Sequence, residues 1–174
     1  MMIGDIMKHR EIQSKHELFV LLKFKEYMSQ EGKVLIIKDR PDPPDAIVTI
    51  DDEISWIEIS DVWLDSDFAE STTSFVAEDK EHMPSRNTFC VDIDDSYEVK
   101  ASQVISKKYK KKTISDTHRV YGAGILLVGL YSPFVAAGEI KSLLKMASKL
   151  KKRGDGRFGE IYLYDWSTDF YQVL

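Results

Sequence analysis

The sequence predicts a mixed α/β protein in which a central, mixed β-sheet is flanked by helices. Helical and strand periodicities alternate along the chain in the order helix, three strands, loop, helix, strand, helix, strand. The 174 residues are 43% hydrophobic, which is enough for one domain with its own core over residues 1–174. Neither an internal repeat nor a low-complexity linker divides the chain.

The first element predicted is a helix over residues 10–30. Its apolar positions recur at helical spacing, and they are Leu18, Leu21, Leu22 and Tyr27. Gly32 is a natural stop for such a helix. The β-branched run 34–37 then predicts a strand, and the proline-rich stretch 39–44 predicts a turn.

Two further strands are predicted over 46–50 and 54–60, joined by the acidic hairpin 51–53. The next stretch, 61–90, is dominated by Ser, Thr, Asp and Glu, and it predicts a long loop with one short helix. Residues 96–112 predict a helix that Ser96 caps at its N-terminus.

The segment between residues 121 and 138 contains no charged side chain. Its glycines and its proline break it up, so we expect a buried strand over 125–131 rather than a membrane helix. An apolar stripe predicts a helix over 135–152. Residues 160–166 then alternate as a strand, and 171–174 predict a short strand at the sheet edge.

The composition of the chain excludes several classes of protein and of binding site. The formal net charge of −5 excludes a uniformly cationic nucleic-acid binder. Cys90 is the only cysteine, so an internal disulfide and a cysteine-rich zinc site are both excluded, and a cytoplasmic location is expected. The four histidines lack metal-ligand spacing and predict surface or structural roles.

Asp45 and Glu58 are the acidic residues that most suggest chemistry. Asp45 starts one predicted strand, and Glu58 lies within the next strand among Trp and Ile. A carboxylate in such a strand is costly to bury without a cation or a donor, and a divalent metal would supply the cation. Strand alternation places Trp56, Glu58 and Ser60 on one face. The alternative is that Glu58 faces solvent and that Pro44-Asp45 is an ordinary turn.

The pattern Pro44-Asp45 followed by Glu58-Ile59-Ser60 resembles the signature of the PD-(D/E)XK nuclease superfamily. That family has a helix, a three-stranded meander, a crossover helix and a further strand, with Asp starting the second strand and Glu-x-Lys in the third. The resemblance covers roughly residues 17–131. It implies a restriction-endonuclease-like core and an endonuclease or exonuclease that depends on Mg²⁺ or Mn²⁺.

The same resemblance implies a set of site residues. Asp45, Glu58 and the backbone carbonyl of Ile59 would bind the metal, and Glu17 would assist from the first helix. Ser60 stands where the family has lysine, and serine cannot supply its positive charge. Either a lysine of helix 96–112 replaces it, or the site is decayed and the domain only binds nucleic acid or protein. The candidate lysines are Lys100, Lys107 and Lys108, and Lys107 is our choice as the catalytic residue.

Lysines are concentrated in the second half of the chain. Six of them lie between Lys100 and Lys112 without an acid, whereas residues 39–70 hold eleven acids and one base. We expect DNA or RNA contacts from Lys100, Lys107, Lys108 and Lys111. The alternative is that these lysines form solvated helix faces. The sequence leaves the oligomeric state open, a homodimer included.

Overall fold

The computed structural model of the protein describes residues 9–63, 93–132, 135, 137–165 and 167–174. These residues form a single six-stranded sheet with helices on both faces. Most of the predicted loop at 61–90 lies outside the described residues, as does Cys90.

The strands are β1 (Leu35–Asp39), β2 (Ala46–Ile50), β3 (Glu53–Trp63), β4 (Gly124–Tyr131), β5 (Phe158–Tyr164) and β6 (Phe170–Gln172). They lie side by side in sequence order. The first three form an antiparallel meander, β3 to β5 run parallel, and β6 returns antiparallel to β5. The predicted mixed sheet is therefore confirmed for the described chain.

The described helices are α1 (His9–Gln30), α2 (Ile93–Lys110), α3 (Lys112–Tyr121) and α4 (Ala137–Arg153). Helix α1 covers one face of the sheet, where Val20 and Phe24 pack against Ile57. Helices α2 to α4 cover the other face, where Ala101, Ile105 and Leu143 join a second core with Trp56. A parallel strand pair needs a crossover connection, and the chain between β3 and β4 supplies it.

Strand β4 lies at the centre of the sheet, and all eight of its residues are buried. This explains the long uncharged stretch in the sequence, because a strand covered on both faces has no polar side. No helix among the described residues is long and apolar enough to cross a membrane. The expectation of a buried strand over 125–131 is thus confirmed.

Three local expectations need correction. The predicted helix 96–112 is two helices, because the chain leaves helical geometry at Lys111 and α3 follows. Helix α2 begins at Ile93, so Ser96 lies within its first turn rather than before it. Strand β3 continues to Trp63, three residues beyond its predicted end, because β4 pairs with it along that length.

Candidate functional site

Asp45 and Glu58 are close neighbours. In the antiparallel β2–β3 ladder Ala46 pairs with Ile57, so one further step places Asp45 opposite Glu58. Both side chains are shielded from solvent, with 8% of Asp45 and 1% of Glu58 exposed. The alternative in which Glu58 faces solvent is therefore wrong, and the two carboxylates share one buried site.

The Asp45 carboxylate is anchored to the backbone of β3. Its Oδ2 accepts a hydrogen bond of 2.6 Å from the Ile59 N–H. Burial, and after it the nearby negative charge of Glu58, raise the pKa of Asp45 to about 7, although the hydrogen bond from Ile59 acts in the opposite direction. A second negative charge beside Asp45 is therefore costly unless a cation joins the pair.

Two lysines, Lys108 and Lys111, contact the Glu58 carboxylate. Its Oε1 accepts hydrogen bonds from Lys108 Nζ at 2.6 Å and from Lys111 Nζ at 3.3 Å. Lys108 Nζ also donates to the Ile59 carbonyl at 3.3 Å. The other oxygen, Oε2, is buried without a hydrogen-bond partner among the described residues. One oxygen of Glu58 is thus available to a cation or a water molecule.

Glu17 lies near the pair but has its own partners. Its Oε2 accepts a hydrogen bond from Arg40 Nη2 at 3.1 Å, and its Oε1 accepts one from Gln13 Nε2 at 2.9 Å. Its negative charge also contributes to the raised pKa of Asp45. Glu17 therefore belongs to the same acidic region, with Arg40 as its counter-ion.

The candidate lysines differ in whether they contact Glu58. Lys108 and Lys111 contact Glu58, whereas Lys107 is exposed on α2 and makes no ion pair or hydrogen bond with the described residues. Lys100 lies two turns earlier on α2 and is half-buried. Ser60 follows Ile59 on β3 and is also half-buried. The side chains that bring positive charge to Glu58 are therefore Lys108 and Lys111, and not Lys107.

The C-terminal ends of α2 and α4 converge beside this site. Ser142 Oγ donates to Glu98 near the starts of the two helices at 2.7 Å. At their ends the Tyr109 ring packs so closely on Gly154 that an added Cβ would lie 2.4 Å from it. The helices therefore run parallel, and the basic last turn of α4 lies next to the basic last turn of α2.

A second polar cluster lies on the α1 face of the sheet, and sequence reasoning missed it. His16 Nε2 is 3.0 Å from Asp61 Oδ2 and 3.2 Å from the Tyr131 hydroxyl. Asp61 Oδ1 accepts a hydrogen bond of 2.9 Å from the Tyr164 hydroxyl. The hydrogen bond to Asp61 raises the pKa of His16, against partial burial. This cluster joins α1 to the ends of β3, β4 and β5.

The helical spacing of α1 was the signal for this cluster. His16 lies four residues before Val20 and eight before Phe24, on the stripe that faces the sheet. The same reasoning identifies Lys108, which follows Tyr97, Ala101 and Ile105 on the buried stripe of α2.

No family model, no curated protein and no solved structure matches the chain. Among the described residues, no group of three or more His, Cys, Asp or Glu side chains is arranged to hold a metal ion. What the geometry defines is an α/β protein with two buried, neighbouring carboxylates and two lysines on one of them.

Proposed function

We propose that this protein is a metal-dependent nuclease that hydrolyses phosphodiester bonds in DNA or RNA. The observation that carries the proposal is the buried Asp45–Glu58 pair, in which one Glu58 oxygen has no described partner. The observed order of helix, three-stranded meander, helical crossover and parallel strand supports a restriction-endonuclease-like core. A reducing, cytoplasmic setting fits the single cysteine.

The residues of the site suit a small, hard cation. Asp45, Glu58 and the Ile59 carbonyl offer oxygen ligands, which Mg²⁺ and Mn²⁺ prefer. The unpartnered Glu58 Oε2 and the like charges of the two carboxylates both favour an added cation. When bound, the metal neutralises phosphate charge and lowers the pKa of a water ligand.

Lys108 takes the role of the lysine that Ser60 cannot fill. Its ammonium lies at hydrogen-bond distance from the Ile59 carbonyl, a proposed ligand atom, and from Glu58 Oε1, the neighbour of Oε2, which has no described partner. From there it would donate to a phosphate oxygen and stabilise the charge that develops on the phosphate. Glu17, near Asp45, assists by holding Arg40 at the rim of the site.

The first test is thermal unfolding with and without Mn²⁺. At about 100 times Kd, the metal should stabilise the wild-type protein by roughly 2.7 kcal/mol. Glu58→Gln should abolish that shift, because the side chain loses its negative charge and one of its two oxygens is replaced by an NH₂ group that cannot bind a metal. A shift that persists in Glu58→Gln places the metal elsewhere and contradicts the proposal.

The second test is cleavage of labelled DNA and RNA with Mg²⁺. Asp45→Ala should abolish cleavage, and Lys108→Met should reduce it by roughly 10²-fold, as expected when a group that stabilises transition-state charge is lost. Lys107→Met is the matched control, one residue away and exposed, and it should retain activity. Equal loss in both lysine variants would contradict the assignment of Lys108.

A second candidate function is a catalytically inactive domain of the same fold that binds nucleic acid or protein. The specific observation in its favour is that Lys108 and Lys111 together already offset the negative charge of Glu58. This candidate predicts no stabilisation by Mn²⁺ and no cleavage, with nucleic-acid or protein binding retained. The melting experiment therefore separates the two functions.

A further inference from the structure

An unbalanced row of positive charge runs along α4. Lys141, Lys145, Lys149 and Arg153 follow one another at four-residue spacing, and all four side chains are exposed. None of them forms an ion pair with the described residues. Like charges at this spacing face each other on a helix and destabilise it by about 0.2–0.5 kcal/mol per pair.

Ordinary structural roles do not account for this row. Cations stabilise a helix by opposing its macrodipole only within about the last turn, and Lys141 and Lys145 lie well before that turn of α4. A mixture of acidic and basic side chains would keep the exposed face of α4 solvated equally well. Yet between residues 100 and 153 the chain holds 13 Lys and Arg and two acids, in a protein of net charge −5.

The direction of the row connects it to the candidate site. Helix α4 runs parallel to α2, and its end lies beside Tyr109. Lys111, just beyond the end of α2, contacts Glu58, and its carbonyl accepts a hydrogen bond from Arg157 Nη1 at 3.2 Å. Basic residues therefore lie in the last turns of α4 and α2 and beside Glu58, while Arg157 itself is buried and paired with Asp155.

We infer that the exposed face of α4 binds the phosphate backbone of a nucleic acid and guides it to Asp45 and Glu58, without reading its base sequence. The row from Lys141 to Arg153 rises about 18 Å, which is roughly five base steps of one strand. Three of its four members are lysines, whose ammonium is a point charge suited to phosphates and lacks the planar, bidentate fork of Arg. The inference rests on the proposed function, because Asp45 and Glu58 are the residues to which the nucleic acid is guided.

The test is equilibrium binding, by fluorescence anisotropy, of two labelled 20-base-pair DNA duplexes of unrelated sequence, in EDTA so that metal-dependent cleavage is blocked. The wild-type protein should bind both duplexes equally. The triple variant Lys141→Gln, Lys145→Gln and Lys149→Gln should bind at least tenfold more weakly at 0.1 M salt. Its slope of log affinity against log salt should fall by about 2–3, at about 0.9 per phosphate contact.

The matched control removes the same charge from the opposite side of the protein. Lys23→Gln, Lys25→Gln and Lys33→Gln together change α1 and the turn after it, and they should leave affinity and salt slope near the wild-type values. If both triple variants bind DNA equally weakly, the loss is explained by net charge alone, and the inference is overturned. Binding of phosphatidylserine vesicles, but not of either duplex, also overturns it.

The binding result is independent of the nuclease proposal. Duplex binding that depends on the α4 row, in a protein that never cleaves, supports this inference while the enzymatic proposal fails. Cleavage with binding unchanged in the α4 triple variant supports the enzyme and overturns the inference.

Discussion

Asp45 is the residue at which folding and proposed function conflict. Its carboxylate is buried next to Glu58, and both effects oppose ionisation. The fixed bond from the Ile59 N–H keeps it in place despite that cost. Buried carboxylates whose ionisation is opposed in this way are concentrated at functional sites.

Asp45→Asn should stabilise the metal-free protein, and more so as pH rises. The folded pKa of Asp45 is raised to about 7 from 3.8, so the folded state holds a proton that the unfolded state has released between these values. The contribution of Asp45 to the free energy of unfolding therefore falls as pH rises from about 4 to 7, and it is constant above pH 7. The amide escapes this loss, and its oxygen still accepts the Ile59 N–H.

The measurement is thermal unfolding of both proteins in EDTA at pH 4.5 and pH 8. At pH 8 the variant should gain about 2 kcal/mol relative to its gain at pH 4.5, which corresponds to roughly 4–8 °C in Tm. Comparing the two proteins at each pH cancels the other titrating groups, His16 among them. A difference that does not change with pH would contradict the raised pKa.

At the residue scale, the sequence predicted that Asp45 and Glu58 lie together, but it favoured Lys107 where the structure places Lys108 on Glu58. Asp45 and Glu58 were found because strand alternation and hairpin register are local properties. Lys107 was preferred over Lys108, although one residue turns a helix by about 100°. The buried stripe of Ala101 and Ile105 places Lys108 on the face of α2 that meets the sheet, and its hydrogen bond to Glu58 shows this directly.

At the element scale, Trp56 and Gly124 explain why β3 and β4 pack as they do. Trp56 is fully buried, and its Nε1 donates a hydrogen bond of 2.8 Å to the Gly122 carbonyl. A Cβ added to Gly124 would lie 2.2 Å from the indole ring. Glycine is therefore required where β4 begins, because the ring of the neighbouring strand occupies the space of a side chain.

Gly124→Ala should destabilise the protein by about 1–3 kcal/mol, the usual cost of overpacking a core. The change is measured by urea unfolding. Gly138→Ala is the control, because Gly138 lies in the first turn of α4 with no atom within 4 Å of the added Cβ. That variant should be as stable as wild type or slightly more stable. Unchanged stability in Gly124→Ala would contradict the packing described.

The elements themselves were largely predictable, apart from α3. Helix α1 and strands β2 and β4 match their predicted ranges within one residue at each end. Helix α3 was not expected, since its stretch follows the lysine run without a proline or glycine to mark a boundary. The break at Lys111 is fixed by tertiary contacts, because its carbonyl binds Arg157 and its ammonium binds Glu58.

At the scale of the whole molecule, the sheet has a protected centre and exposed edges. Strand β4 is hydrogen-bonded on both sides and covered on both faces, whereas β1 is an edge strand with Ile36 and Lys38 exposed. Hydrogen exchange by NMR should therefore find the slowest amides in β4, followed by β3 and β5, and faster ones in β1. Faster exchange in β4 than in β1 would contradict the topology.

The sequence alone determined what depends on near neighbours. Helix and strand periods, the hairpin turn at Asp51 and Asp52, and the pairing of Asp45 with Glu58 all follow from residues less than about 15 positions apart. Tertiary structure decided what depends on distant segments. It brought Lys108 to Glu58, 50 residues away, and His16 of α1 to Asp61 of β3. It also placed the basic ends of α2 and α4 side by side. Such contacts depend on how helices rotate and pack against a sheet, and no local pattern of residues fixes that geometry.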